Sequence, residues 1–105
     1  MRLTSASFNV GQLVRHRKFG YRGVIFDIDP VFCESDEWYE TMAQSRPPKD
    51  RPWYRVLVDG ERYTTYVAER NLADDEDGTE IAHPLIGELF AGFAAGRYLR
   101  RLPDS

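Results

Sequence analysis

The chain is poor in several features that mark particular classes of protein. It has a single cysteine, Cys33, among 105 residues, which excludes an internal disulfide framework and a zinc site built from cysteines. Its apolar runs fall far short of the ~20 residues that span a bilayer, and its N-terminal segment lacks the apolar region of a secretion signal. We therefore expect a soluble protein in the reducing cytoplasm, with no membrane partner.

An excess of positive charge is lacking as well. The net charge is −3, whereas proteins that bind nucleic acid usually neutralise phosphates with clustered Lys and Arg. The charges are segregated, however, because residues 1–25 carry five cations and no acid, while residues 26–50 carry two cations and seven acids. Such a chain either presents a basic docking surface or folds into a surface of mixed charge.

The composition, 42% hydrophobic and 30% charged, is typical of one small globular domain. Period-two alternation predicts its strands: a short one at Leu13 and Val14, and the clearest one in "RGVIFDIDP", with Val24, Phe26 and Ile28 on one face. Pro30 closes this strand. Two glycines, Gly20 and Gly23, predict a tight turn or a bulge between the two strands.

A hairpin is predicted around Asp59-Gly60, because this dipeptide lies between two β-forming runs, "WYRVLV" and "TTYVA". A last short strand is expected near Leu72. In "HPLIGELFAGFAAGRYLRR" the apolar residues recur at helical spacing, which predicts a short helix that ends at Gly96. The fold class that follows is mainly β: a small, strongly twisted antiparallel barrel of about five strands with a short C-terminal helix.

Between the second and third strands lies a long segment, residues 31–52, that combines acids, aromatic residues and a Pro-rich turn. Residues 37–42 fit one helical turn, which Pro47 and Pro48 would end. Loops of this length in compact domains are usually functional or mobile. We therefore treat the segment as a candidate recognition surface.

The candidate contact residues for DNA or a protein partner are basic or imidazole side chains near the first turn, with two further arginines as additions. They are Arg15, His16, Arg17, Lys18, Arg22, Arg51 and Arg55. Converging cations of this kind would contact phosphates with an affinity that falls steeply with salt. The alternative is that they alternate on a solvated face and pair with acids elsewhere. Tyr21 and Trp53 are expected in the core.

Enzyme chemistry has weak support. Asp27 and Asp29 share a strand face, but no third ligand accompanies them, so we expect them to hold nearby donors at the strand end. Cys33 with His16 or His83 is the one thiolate–imidazole combination, and no nucleophile motif surrounds it. We expect no catalytic residue, metal site or cofactor.

Three segments, "GQLVRHRKFGYRGVIFDIDPVF", "PWYRVLVDG" and "TTYVAERNL", occur in this order and spacing. Together they resemble the HspQ heat-shock protein family, also described as the YccV-like hemimethylated-DNA-binding domain. The resemblance covers about residues 8–72, the barrel core of a single domain over residues 1–105, and residues 83–101 are similar to a C-terminal tail seen in some members.

The resemblance implies a small bacterial SH3-like barrel without catalytic activity. It also implies binding to DNA methylated on one strand, modulation of substrate choice by the Lon protease, and small homo-oligomers such as trimers. An adaptor that contacts only proteins in the heat-shock and proteolysis response is the alternative.

Overall fold

The computed structural model describes residues 5–101. The acid-free residues 1–25 are called the basic N-terminal block below, and Arg2 of this block lies outside the described residues. Strands predominate in this part of the chain, so the mainly β prediction is confirmed. The elements in chain order are β1 (Leu13–His16), β2 (Arg22–Asp29), α1 (Asp36–Met42), β3 (Trp53–Val58), β4 (Thr64–Ala68), a 3-10 turn (Glu69–Asn71), β5 (Leu72–Asp74), α2 (Ile86–Leu89), β6 (Phe90–Ala94) and β7 (Arg97–Arg100).

Strands β1 to β5 form one antiparallel sheet in the order β4-β3-β2-β1-β5. The 3-10 turn joins the two terminal strands, β4 and β5. The arrangement is consistent with the expected small barrel, although among residues 5–101 no strand pairing closes the sheet. The sheet therefore keeps an open edge at β4.

A bulge in β2 corrects the predicted strand faces. The register with β3 shifts between Ile25 and Asp27, which leaves Phe26 as an extra residue. Because one inserted residue reverses the side-chain alternation, Ile28 packs in the same cluster as Ile25, whereas Val24 belongs to the cluster on the other face. The prediction that Ile28 shares a face with Val24 is therefore wrong.

A short C-terminal helix is present at Ile86–Leu89, but its predicted extent to Gly96 is wrong, because a two-stranded hairpin follows. Ala95 and Gly96 both have positive φ, 54° and 79°, which is the backbone of a two-residue type I′ hairpin turn. Gly96 adopts the left-handed conformation expected of it, but in a hairpin. Strand pairing buries Phe90 and Tyr98 against the main sheet.

Helix α1 fits the helical turn predicted for residues 37–42. Ser35 is its N-cap, and its hydroxyl accepts a hydrogen bond from the Trp38 backbone N–H at 3.1 Å. The buried Tyr39 packs beside Trp53, and its hydroxyl donates to the Pro47 carbonyl at 2.7 Å. The long segment between β2 and β3 is thus tied to the sheet.

Three hydrophobic clusters hold the elements together. Trp53 is fully buried as expected, and Tyr21 packs against the second cluster while its hydroxyl is hydrogen-bonded to Thr65 at 2.7 Å. The helices of the described region are all too short or too polar to cross a membrane.

Candidate functional site

The turn between β1 and β2, residues 17–20, projects from the sheet and is called the basic turn below. The His16 backbone N–H donates to the Tyr21 carbonyl at 2.9 Å, and the Gly20 N–H donates to the His16 carbonyl at 2.8 Å. Gly20 has φ 77°, a conformation that glycine adopts without steric cost. The turn therefore exposes Arg17, Lys18 and Phe19 to solvent.

His16 supports the basic turn from beneath. It is only 7% exposed, and its Nδ1 accepts hydrogen bonds from the backbone N–H groups of Lys18 and Phe19, both at 3.1 Å. Its ring stacks on Phe19 with centroids 4.6 Å apart. Burial, and secondarily the charge of Lys18, lowers the pKa of His16 below its ordinary value. The structure thus places this candidate contact residue inside the turn rather than on its surface.

Two of the candidate cations form ion pairs with Asp75, an acid that the sequence analysis does not single out. Its fully buried carboxylate accepts from Arg15 at 3.2 Å and from Arg22 Nε at 2.6 Å. Arg22 also donates to the Thr79 carbonyl at 2.6 Å and lies 3.7 Å from Asp59. Within the basic N-terminal block, Arg15 and Arg22 therefore serve mainly to anchor the segment after β5.

Arg55 lies among three acids, two at the end of β2 and one in the long segment between β2 and β3. It donates to Glu34 at 2.9 Å and lies 3.5 Å from Asp29 and 3.9 Å from Asp27. Although partial burial opposes its charge, the hydrogen bond to Glu34 and the charge of Asp29 raise the pKa of Arg55. Asp27 and Asp29 thus have the structural role expected of them.

Tyr66 completes this network. Its hydroxyl donates to Asp29 at 2.6 Å and accepts from the Cys33 N–H at 3.0 Å, while the Arg55 guanidinium lies 4.3 Å from its ring centroid. Burial and the hydrogen bond to Asp29 raise the pKa of Tyr66. The network fixes the start of the long segment against the sheet.

Two further candidate cations, Arg17 and Lys18, contact a backbone carbonyl and an aromatic ring. Arg17 Nε donates to the Leu72 carbonyl at 2.9 Å, and Lys18 Nζ lies 5.7 Å from the Phe19 ring centroid. Over residues 5–101 neither side chain forms an ion pair with a carboxylate. Arg51 is exposed and lines a separate cleft with Glu69 and Arg70.

A groove of about 540 Å³ adjoins the basic turn. Its walls are the turn itself, α1 with the residues after it, and the whole of β4. The aromatic, apolar and neutral polar side chains that line it include Phe19, Trp38, Met42, Gln44, Thr65, Tyr66 and Asn71, and Lys18 lies at its margin. Its volume lies in the range of roughly 300 to 1,000 Å³ that is usual for ligand-binding clefts.

Sequence reasoning missed a second basic region, because it assigned the C-terminal cations to a helical tail. Arg97, Arg100 and Arg101 lie exposed on and just after β7. Arg101 donates to the Gly87 carbonyl at 2.6 Å, which ties the end of the hairpin to α2. The segment "RYLRR" is the sequence signal for this basic region, but the helical spacing assigned to it is wrong, because Arg97–Arg100 is a strand.

The described residues contain no group of three or more His, Cys, Asp or Glu side chains arranged to hold a metal ion. Cys33 is exposed, and its thiol donates to the Val31 carbonyl at 3.1 Å. The ring nitrogens of His16 and His83 bond to backbone groups. In the part of the chain that the structure describes, no hydrogen bond joins the Cys33 thiol to the imidazole of His16 or His83.

Two comparisons relate the sequence of this chain to known proteins. A family model described as YccV-like, hemimethylated DNA-binding protein, matches residues 6–97. The curated relative F-box only protein 21 from Pongo abelii is 31% identical over 94 residues, which is 88% of this chain and 15% of that protein. The chain therefore spans about 15% of the length of this relative.

Proposed function

Because this chain belongs to the family of YccV-like hemimethylated DNA-binding proteins, we propose that it binds duplex DNA through the basic turn. The family match supports DNA binding, and the ion pairs of the structure indicate which cations contact the DNA. Arg15, Arg22 and Arg55 are paired with carboxylates of their own chain, whereas Arg17 and Lys18 remain available to contact phosphates.

A few phosphate contacts on an acidic protein would give weak, salt-sensitive binding. Base readout needs groups that reach a groove of the duplex, and the exposed Phe19 is the apolar group nearest the two cations in sequence. We propose that the preference for DNA methylated on one strand arises from contacts around this ring. The exposed C-terminal arginines, Arg97 and Arg100, supply further phosphate contacts.

The test is a set of gel shifts with unmethylated, half-methylated and fully methylated duplexes at several salt concentrations. Replacing Arg17 and Lys18 by alanine should weaken binding and reduce the slope of log affinity against log salt by roughly 0.9 per lost phosphate contact. The control is Arg46→Ala, an exposed cation already paired with Glu40 at 2.7 Å. Unchanged affinity and slope in the double variant would contradict the proposal.

We further propose, from the resemblance given above, a cytoplasmic regulatory role without catalysis, in which the protein alters substrate choice by the Lon protease and forms small homo-oligomers such as trimers. Degradation of a model substrate by purified Lon with and without the protein tests the first part. Light scattering in solution tests the second.

An adaptor that contacts only proteins is the second candidate. The observation that favours it is the surface of the long segment, where the apolar side chains of Val31 and Met42 are exposed beside the acids of α1. An adaptor of this kind would affect proteolysis and give no gel shift at ~150 mM salt, where nonspecific phosphate binding is weak.

A further inference from the structure

The groove beside the basic turn includes a strand edge and extends over the adjoining sheet face, where Trp53 and Arg55 of β3 also line it. All five residues of β4, from Thr64 to Ala68, line it. Successive side chains of a strand point to opposite faces of the sheet, so a cavity over one face would contact only alternate residues. A cavity that contacts every residue in turn reaches the edge of the strand, where Thr64, Thr65 and Tyr66 are exposed or half-buried and Val67 and Ala68 are buried.

That edge has no strand partner among residues 5–101. Strand β4 is terminal in the five-stranded sheet, and it pairs only with β3. Its outward N–H and C=O groups therefore form the type of template to which an extended peptide adds as a further strand. The three residues of β4 that are not buried, residues 64–66, span about 10 Å at ~3.4 Å each, enough for a peptide segment of similar length.

The side chains around the edge supply what strand addition needs besides backbone hydrogen bonds. On one side Phe19 is 71% exposed, and on the other Met42 is 61% exposed. Alternate side chains of an added strand would contact these two groups. Methionine is adaptable and recurs at surfaces that bind several peptides.

The aromatic side chains of the groove argue against a nucleobase as its occupant. Trp53 and Tyr66 stack on each other with centroids 5.2 Å apart, and Arg55 covers Tyr66. Trp38 meets Tyr66 edge-on. Base binding needs open ring faces, and these contacts occupy those of Trp53 and Tyr66, which leaves the exposed Phe19 at the rim; a peptide needs only apolar surface and the strand edge.

The charged side chains that line the groove indicate which charge a bound peptide would carry. Glu34 is paired with Arg55 at 2.9 Å, whereas Lys18, which also lines the groove, forms no ion pair with a carboxylate of residues 5–101. We propose that the β4 edge binds an extended peptide of a protein partner by strand addition, with apolar residues at alternate positions and an acidic residue beside Lys18. The inference goes beyond DNA binding and does not depend on it.

In the first step, the immobilised full chain selects 12-residue peptides from a random phage-displayed library. In the second step, the affinity of the selected sequences is measured with labelled synthetic peptides. N-methylation removes a backbone donor without changing the side chain. It should lower affinity by about fivefold at each alternate position that faces β4 and have little effect at the positions between. Peptides held only by side chains would not show this alternation, which would overturn the proposal.

Variants of the protein locate the site. Phe19→Ser and Met42→Glu should each weaken peptide binding by about tenfold or more, while Leu99→Ser, another exposed apolar residue outside the groove, should leave it unchanged. Lys18→Glu should disfavour peptides with the acidic residue. Failure to enrich any peptide, equal binding by the Met42→Glu protein, or Met42-dependent binding of a short oligo-dT strand in place of peptides would each overturn the proposal. Loss of DNA binding alone would not affect it.

Discussion

Asp75 determines how much of the basic N-terminal block is available to a partner. Its carboxylate is fully buried, and it forms ion pairs with both Arg15 from β1 and Arg22 from β2. Burial of a charge is tolerated only when it is paired and hydrogen-bonded. The cations that look most like a docking patch in the sequence are therefore partly structural, and contact with a partner falls to the residues of the turn between them.

His16 makes the basic turn sensitive to acid. Its Nδ1 can accept the two backbone N–H groups only while it is unprotonated, and burial lowers its pKa below 6.5. Below about pH 6.5 the unfolded chain therefore binds a proton that the folded chain does not, and the free energy of unfolding falls as the pH decreases through this window. Above the window the contribution of His16 is complete.

The variant His16→Asn tests this dependence, because an amide oxygen can accept the same hydrogen bonds but does not titrate. We expect urea unfolding of the wild type to show a lower free energy of unfolding at pH 5.5 than at pH 7.5, and we expect that difference to shrink in His16→Asn. The control is a variant in which His83 is replaced, because the ring nitrogens of His83 bond to the backbone of Tyr63 and Leu85 and not to the basic turn. An equal pH dependence in His16→Asn and the wild type would contradict the assignment.

At the scale of elements, the C-terminal hairpin depends on two residues in the left-handed conformation. Gly96 adopts it freely, whereas Ala95 at φ 54° does so at a cost of roughly 1 kcal/mol. Asn-Gly is the dipeptide most favoured in a type I′ turn. We expect Ala95→Asn to raise the free energy of unfolding by roughly 0.5 to 1 kcal/mol, measured by chemical denaturation.

The helix that the sequence predicts would respond with the opposite sign, since asparagine is a poorer helix former than alanine by up to about 0.7 kcal/mol. Ala94→Asn is the matched control, because Ala94 is the last residue of β6 and lies before the turn. A loss of stability in Ala95→Asn would favour the helix over the hairpin.

The sequence specified elements whose signals are local. The Asp59-Gly60 hairpin, the turn at Gly20 and helix α1 formed as predicted, because turn chemistry and a capping serine act over a few residues. The C-terminal segment misled because residues such as Leu89, Phe90 and Phe93 fit both helical and strand spacing. The burial of Phe90, and the packing of Phe93, against the distant strands β1 to β3 decide between the two, and spacing alone does not contain that information.

The candidate site could be predicted only in part for a similar reason. The positions of Arg17 and Lys18 in a turn follow from local sequence, but their unneutralised charge follows from where Asp75 lies, some 60 residues away along the chain. The groove has no sequence signature at all. It arises where the basic turn, α1 and the edge of β4 meet, and none of these segments is adjacent to another in sequence.

At the scale of the whole molecule, the basic turn and the groove share Lys18. The same ammonium group that would contact a phosphate in the proposed DNA complex borders the groove that would hold an acidic peptide. One side chain cannot make both contacts at once, and a bound acidic residue would also repel the DNA backbone. The two partners should therefore compete even though each contacts further residues of its own.

This competition is measured with a labelled duplex and an unlabelled groove peptide obtained by the selection described above. Saturating peptide should weaken DNA binding by about tenfold or more, the effect of losing one charge-assisted contact. The same peptide with N-methyl groups at the β4-facing positions should have no effect, because it does not dock. If DNA affinity stays constant at saturating peptide, the two surfaces act independently. The competitive outcome would instead make an acidic protein segment a means of releasing the protein from DNA.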